Sequence, residues 1–278
     1  MTKGHLIFAQ NSDIDYVRQA YALALSIKQH NKINNVCLMT NDSVPFEYTK
    51  AFDHIVSIPW GDAAEKSEWK IENRWKIIYA SPYQETLVYD SDMLVCSSND
   101  HWWDYLENKN IALAGNVQTY KGEIVTNNFY RKSFVENNLP DLYFGIHYIK
   151  KNKRSYEFYK WLEIIVKNWK QYYSIYTPNN PQKFCSMDVS SAIAATILDA
   201  KEEFGTGNPL TFTHMKPAIQ NWHDIPDTWQ SATTMQFTDH ADLKISNFLQ
   251  TGVFHYTEND FLTDDIIKKL EAVYESRY

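Results

Sequence analysis

Two carboxylates one residue apart close an apolar run in Thr86-Leu87-Val88-Tyr89-Asp90-Ser91-Asp92-Met93-Leu94-Val95, and a second apolar run follows them. The β-branched first half reads as a buried strand, and Asp90-Ser91-Asp92 falls where that strand emerges. In open α/β sheets, ligands sit beyond the carboxyl ends of the strands. Acids at such a place are costly to bury unless something positive pairs with them. A divalent cation held by oxygen ligands is the economical partner: carboxylates alone suit Mg²⁺, and carboxylates with an imidazole suit Mn²⁺. A solvated turn is the competing reading, and the strand context on both sides disfavours it. His5, His54, His147, His214 and His255 lie in or beside apolar runs. A histidine so placed is more often a satisfied core residue than a ligand.

These groups need elements to position them. Residues 5–10 read as a first strand, Asn11-Ser12-Asp13 as a turn and helix cap, and 14–30 as a helix with Tyr16, Ala20, Leu23, Ala24 and Ile27 on one face. A strand at 36–40, a short helix at 46–52, a strand at 54–58 broken by Pro59-Trp60-Gly61-Asp62, and a helix within 72–80 lead to the Asp-Ser-Asp strand. This alternation predicts an α/β fold with a Rossmann-like, mainly parallel sheet and right-handed crossovers. Further on, 111–117 and 142–149 read as strands, and the polar stretch 118–140 between them as a cover over the site. Its section 120–131 is also a candidate acceptor contact. Residues 155–173 read as one amphipathic helix carrying Phe158, Leu162, Ile165, Trp169 and Tyr172. Ser186 caps a helix to about Ala200, 210–214 and 252–256 are short strands, and Thr263-Asp264-Asp265 opens a terminal helix.

The composition bounds what this arrangement can serve. A chain of 278 residues with no Pro/Gly/Ser-rich linker reads as a single domain. A net charge of −7 argues against a general nucleic-acid coat or an anionic-membrane binder. Cys37, Cys96 and Cys185 show no CxxC spacing and read as reduced thiols of a cytoplasmic protein. No apolar run is long enough for a signal peptide or a membrane span. The nineteen Tyr and nine Trp include rings of the kind that line carbohydrate or base clefts, although most of them must serve the core.

With its motifs in this order, the chain resembles the family 8 glycosyltransferases and related GT-A enzymes, the group that includes glycogenin and bacterial lipopolysaccharide galactosyltransferases. The resemblance covers most of the chain. HLIFAQNSDIDYVRQAYALALSIKQHN is similar to the family's first strand and helix, which implies Ala9, Asn11 and Tyr16 beside the nucleoside. NRWKIIYASPYQETLVYDSDML is similar to the helix, turn and metal-site strand. That implies a metal and nucleotide-sugar site at Asp90, Ser91 and Asp92, and a basic residue reaching the diphosphate, for which Arg74 and Lys76 are both placed. YFGIHYIKKN is similar to a strand with an Asn-x-Gly core, here Tyr143-Phe144-Gly145. CSMDVSSAIAATIL implies Asp188 as the acid near the reacting sugar, although a helix N-terminus favours an acid there in any case. TGVFHYTEND implies His255 as a metal ligand beside Asp90 and Asp92, with His214 of FTHMKPAIQNW as its rival. The family's Gly-x-x-Lys-Pro-Trp segment after that histidine has no counterpart here.

The resemblance implies transfer of a sugar from a UDP-sugar to a hydroxyl acceptor with Mn²⁺ or Mg²⁺ as cofactor. Residues 1–96 would form a nucleotide-binding half and 97–278 an acceptor-binding half. Family 8 leans to retention of configuration, in which Asp188 orients the sugar; under inversion Asp188 becomes the candidate base. The acceptor is a saccharide or, alternatively, a hydroxymethylated base in DNA, as with soluble phage glycosyltransferases. A sugar-nucleotide nucleotidyltransferase would carry a Gly-rich basic loop where this chain has Gln10-Asn11-Ser12-Asp13. A non-enzymatic sugar-binding module has no use for an Asp-Ser-Asp motif paired with a basic helix.

Overall fold

The N-terminal alternation folds as β1 (Lys3–Phe8), α1 (Tyr16–His30), β2 (Val36–Met39), β3 (His54–Val56), a 3₁₀ helix (Ile71–Lys76) running into α2 (Ile77–Ala80), and β4 (Glu85–Asp90). Asp15 starts α1 by accepting from the Arg18 N–H at 2.9 Å. Then come β5 (Met93–Val95), α3 (Trp102–Leu106), β6 (Ile111–Ala114), β7 (Asn116–Gln118), α4 (Lys132–Glu136) and β8 (Tyr143–Lys150). Next are α5 (Lys153–Lys167), α6 (Trp169–Tyr176), α7 (Met187–Ile197), α8 (Lys201–Gly205), β9 (Thr211–His214) and α9 (Met215–Ala218). The last elements are β10 (Met235–Phe237), β11 (Leu243–Ile245), β12 (Phe248–Leu249), β13 (Val253–His255) and α10 (Asp264–Glu275). This computed structural model describes residues 2–64, 67, 70–125, 131–205, 207–218 and 229–277.

The main sheet has six strands in the order β3-β2-β1-β4-β8-β6. It is parallel from β3 to β4, and β8 runs antiparallel to both β4 and β6. The strand that ends at Asp90 therefore lies near the sheet centre. Alternate residues bury on opposite faces. Ile7, Leu38, Leu87 and Tyr89 pack toward α1, whereas Leu6, Phe8, Met39 and Val88 pack in the cluster that includes residues of α2, α5 and α7. A second sheet, β5-β13-β9-β7, packs into the α1-side cluster. Among the described residues no helix is long and apolar enough to cross a membrane.

Three departures from the sequence reading have local causes. The single strand expected at 111–117 is two strands in two sheets. An added Cβ at Gly115 would lie 3.3 Å from the Gly205 carbonyl oxygen, so this glycine lets the chain pass close to α8 as it changes sheet. The helix expected at 155–173 breaks at Asn168, whose side-chain amide donates to the Ile164 carbonyl at 2.9 Å and competes for the backbone there. The β10-β11-β12 sheet was not foreseen; its strands are only two or three residues long and leave no periodic pattern to read. Residues 126–130 of the expected cover and acceptor stretch lie outside the described residues.

His147, on β8, is a core histidine. Its Nδ1–H donates to the Phe144 carbonyl at 2.8 Å, which leaves Nε2 to accept from the Tyr159 hydroxyl at 2.6 Å. Burial lowers its pKa from 6.5 to about 3, and burial lowers that of His5 to about 4. The unfolded chain therefore binds more protons in this window, and stability falls as pH drops below 6.5 toward those values, each unit being worth about 1.4 kcal/mol per group. Urea midpoints measured down this pH range should decline steadily. His147→Gln should flatten the slope, and an unchanged slope would refute the assignment.

Candidate active site

The Asp-Ser-Asp motif is the joint between two sheets. Asp90 is the last residue of β4 in the large sheet, and β5 of the small sheet begins at Met93. In that small sheet β13 runs antiparallel to β5, which places His255 across from Met93. The Tyr256 N–H donates to the Asp92 carbonyl at 3.2 Å and holds the end of β13 against the motif. The result brings together side chains 163 residues apart. His255 Nε2 lies 2.9 Å from Asp92 Oδ2, and one ligand atom from each of Asp90, Asp92 and His255 falls within 4.8 Å of the others.

The electrostatics around these groups fit a cation. Arg74 donates to Asp90. Burial would lower the His255 pKa, but the Asp92 carboxylate outweighs it and the net shift is upward. Burial likewise disfavours ionised Asp92, yet His255 and Arg74 hold its pKa below the usual carboxylate range. Each carboxylate thus has a positive partner, Arg74 for Asp90 and protonated His255 for Asp92. A divalent ion would take over both roles. His255 Nδ1 is buried with no hydrogen-bond partner among the described residues.

His214 occupies the neighbouring register position on β9, parallel to β13, with ring centroids 4.9 Å apart. Burial holds it neutral, and the set of mutually close ligand atoms does not include it. A divalent cation held here should therefore bind more weakly in His255→Ala, while His214→Ala leaves its affinity in place. The reverse pattern in a metal titration would move the ligand role to His214.

The two basic candidates separate sharply. Arg74 meets Asp90 at the motif, and its Nε is buried without a partner among the described residues. Lys76 is buried elsewhere, with Nζ donating to the Gly61 carbonyl at 2.6 Å and to Asn73 Oδ1 at 2.7 Å. Asn73 in turn donates to Gln10 Oε1 at 2.8 Å and to Asp62, so Lys76 braces the loop above the end of β1. Ala9 is buried, with its N–H bonded to the Met39 carbonyl at 3.1 Å. Asn11 organises the turn into α1: its Oδ1 accepts from the Val17 N–H at 2.9 Å, and its own N–H donates to Asp42 at 2.7 Å. Tyr16 is half-buried, and burial, reinforced by Asp92, pushes its phenol upward. Ser91 is buried, its hydroxyl 3.5 Å from Gln19 Oε1 on α1.

Asp188, in the first turn of α7, shares a cleft of about 190 Å³ with Arg74, Asp90, Phe144 and Gly145. Its Oδ1 accepts from the Phe144 N–H at 2.8 Å and its Oδ2 from Arg131 Nη1 at 2.6 Å. Gly145 faces Asp90 directly; a Cβ there would lie 2.7 Å from Asp90 Oδ2. Neither Arg131 nor Gly145 stood out individually in the sequence. Arg131 was only the end of the polar stretch 120–131 read as an acceptor contact, and only the altered Tyr-Phe-Gly core hinted at Gly145.

A sheet of this order, with paired carboxylates where its central strand ends, has the GT-A glycosyltransferase fold, and the motif order resembles family 8. The structure is similar to that of the galactosyltransferase LgtC in complex with donor and acceptor sugar analogues: TM-score 0.56, 13% identity, 98% of this chain and 95% of that one covered. It is similar also to mouse xyloside xylosyltransferase 1 (TM-score 0.54, 11% identity, 94% and 100% covered). A third similar structure is the glycosyltransferase GlyE of Streptococcus pneumoniae TIGR4 (TM-score 0.50, 13% identity), where this chain spans 63% of the other's length. No family model matches the chain, and no curated protein does.

Proposed function

We propose that this protein is a metal-dependent glycosyltransferase that moves a sugar from a UDP-sugar to a hydroxyl of a saccharide acceptor with retention of configuration. The observation that carries the reading is the convergence of Asp90, Asp92 and His255 at the end of the central strand of a GT-A sheet. Asp92 and His255 would hold the cation, Mn²⁺ by preference for the imidazole, with Asp90 ligating or contacting ribose. Bound there, it supplies Lewis-acid stabilisation of the charge that builds on the departing diphosphate.

The chain's own groups fill the remaining roles. Ala9, Asn11 and Tyr16 border the nucleoside, and Ser91 anchors the motif to α1 from behind. Arg74, rather than Lys76, meets the diphosphate. Both Asp188 oxygens already accept hydrogen bonds, which suits a fixed acceptor for donor-sugar hydroxyls better than a base that must take a proton. Residues 1–96 supply the nucleotide side and 97–278 the acceptor side. The free thiols of Cys37, Cys96 and Cys185 fit a cytoplasmic location.

The test is a panel of sugar nucleotides with Mn²⁺, read for released nucleotide diphosphate with and without saccharide acceptors. Metal-dependent release from UDP-sugars supports the reading. Absence of metal-dependent nucleotide binding would point to a sugar-binding module, and salt-dependent DNA binding to the nucleic-acid acceptor.

A further inference from the structure

Arg131 is buried between two aromatic rings, its guanidinium carbon 3.7 Å from the Phe134 ring centre and 3.9 Å from that of Tyr143. Each of its three nitrogens donates a hydrogen bond. Nε donates to Asp141 Oδ1, Nη1 to Asp188 Oδ2 and Nη2 to the Leu142 carbonyl, each at 2.6 Å. A buried guanidinium needs a matching anion, and Asp141 already supplies one. Neutralising Arg131 therefore does not call for Asp188 as well. Nor does the start of α7 require an arginine, since an acid in the first helical turn is favoured by the backbone amides. The excess lies in what the pair does to the Asp188 carboxylate. One oxygen is held from Arg131 and the other from the Phe144 N–H on β8, so neither torsion of the side chain is free.

We propose that Arg131 is a positioning residue for Asp188. It fixes the carboxylate in one orientation toward the cleft shared with Arg74 and Asp90, where hydroxyls of the donor sugar are recognised. This rests on the glycosyltransferase reading above. Stacking between the rings sets the plane of the guanidinium, and that plane sets the carboxylate, which a lysine cannot reproduce.

The experiment uses Arg131→Ala and Arg131→Lys in the full chain. Removing the clamp should lower kcat for transfer from the sugar nucleotide by about 10²-fold, in line with a lost oriented contact. UDP affinity and the Mn²⁺ requirement should stay near those of the parent protein. Millimolar guanidinium should restore at least part of the lost kcat to Arg131→Ala, and urea, which has nearly the same shape without the charge, should not. Equal rescue by both, or a parallel loss of UDP affinity, would show a packing role and overturn the proposal. If Arg131→Ala does not fold, Arg131→Lys decides: a folded variant with parental kcat overturns it, and a folded variant with reduced kcat supports it. A double-mutant cycle of melting temperatures for Arg131→Lys and Asp188→Asn reads the clamp without any turnover. Additive shifts there would overturn it. Absence of turnover by the parent protein with coupled shifts would instead sink the glycosyltransferase reading and leave the clamp standing.

Discussion

Asp92→Asn is expected to lower metal-dependent sugar transfer by about 10²-fold or more, a loss of roughly 3 kcal/mol in transition-state stabilisation. The substitution keeps the size of the side chain and removes its charge. Asp92 is the hub of the motif: its carboxylate lies 2.9 Å from His255 Nε2, and its backbone carbonyl accepts from Tyr256. Without that charge only Asp90 still offsets the burial that disfavours protonated His255, and the imidazole loses its main ionic partner. The linkage runs the other way in the parent protein. Because the His255 pKa is raised and the Asp92 pKa lowered in the fold, the pair stabilises the metal-free protein between those two values, and that contribution is lost as pH rises through the folded His255 value or falls through the folded Asp92 value. Cation binding, which needs neutral imidazole, strengthens over the same rise. Release of nucleotide diphosphate measured against Mn²⁺ concentration at several pH values checks the rate loss and the cation affinity, and melting temperatures of the metal-free protein over the same pH range check the pair. Full activity of Asp92→Asn without added metal would overturn the functional reading at its root.

Gly145→Ala should weaken Mn²⁺ activation by about 10-fold or more while leaving the fold in place, as expected for loss of a precisely oriented carboxylate. The added Cβ would lie 2.7 Å from Asp90 Oδ2 and 3.3 Å from the Met93 Cε atom. The atoms in the way are side-chain ends, so the strand itself need not move. Asp90 must swing aside instead, and its bond to Arg74 goes with it. The contrast is Gly115→Ala, whose Cβ would lie 3.3 Å from a backbone oxygen, that of Gly205. There the chain cannot yield cheaply, and the cost should fall on thermal stability with the Mn²⁺ requirement unchanged. Melting curves and Mn²⁺ titrations on both variants separate the two effects. A Gly145→Ala protein with parental Mn²⁺ dependence would remove Asp90 from the metal site.

The order of strands and helices in residues 3–95 and the position of Asp90 at a strand end were legible in the sequence itself. Both follow from local patterns: β-branched runs, helical spacing in α1, and acids where a buried run stops. Side-chain chemistry within a few residues decides such features, and tertiary context did not alter them. What only the tertiary structure decided is which distant groups share the joint between the sheets. Arg74 and Lys76 sit two residues apart on the same 3₁₀ helix, and the turn of that helix sends one to Asp90 and the other beneath the loop at Gly61. His214 and His255 end neighbouring strands, and the register of β13 against β5 sets His255 beside Asp92. Arg131 reaches Asp188 across 57 residues only because β8 and α7 pack together. Strand register and helix packing are settled by burial summed over whole faces of the molecule, a sum that no short stretch of the chain contains.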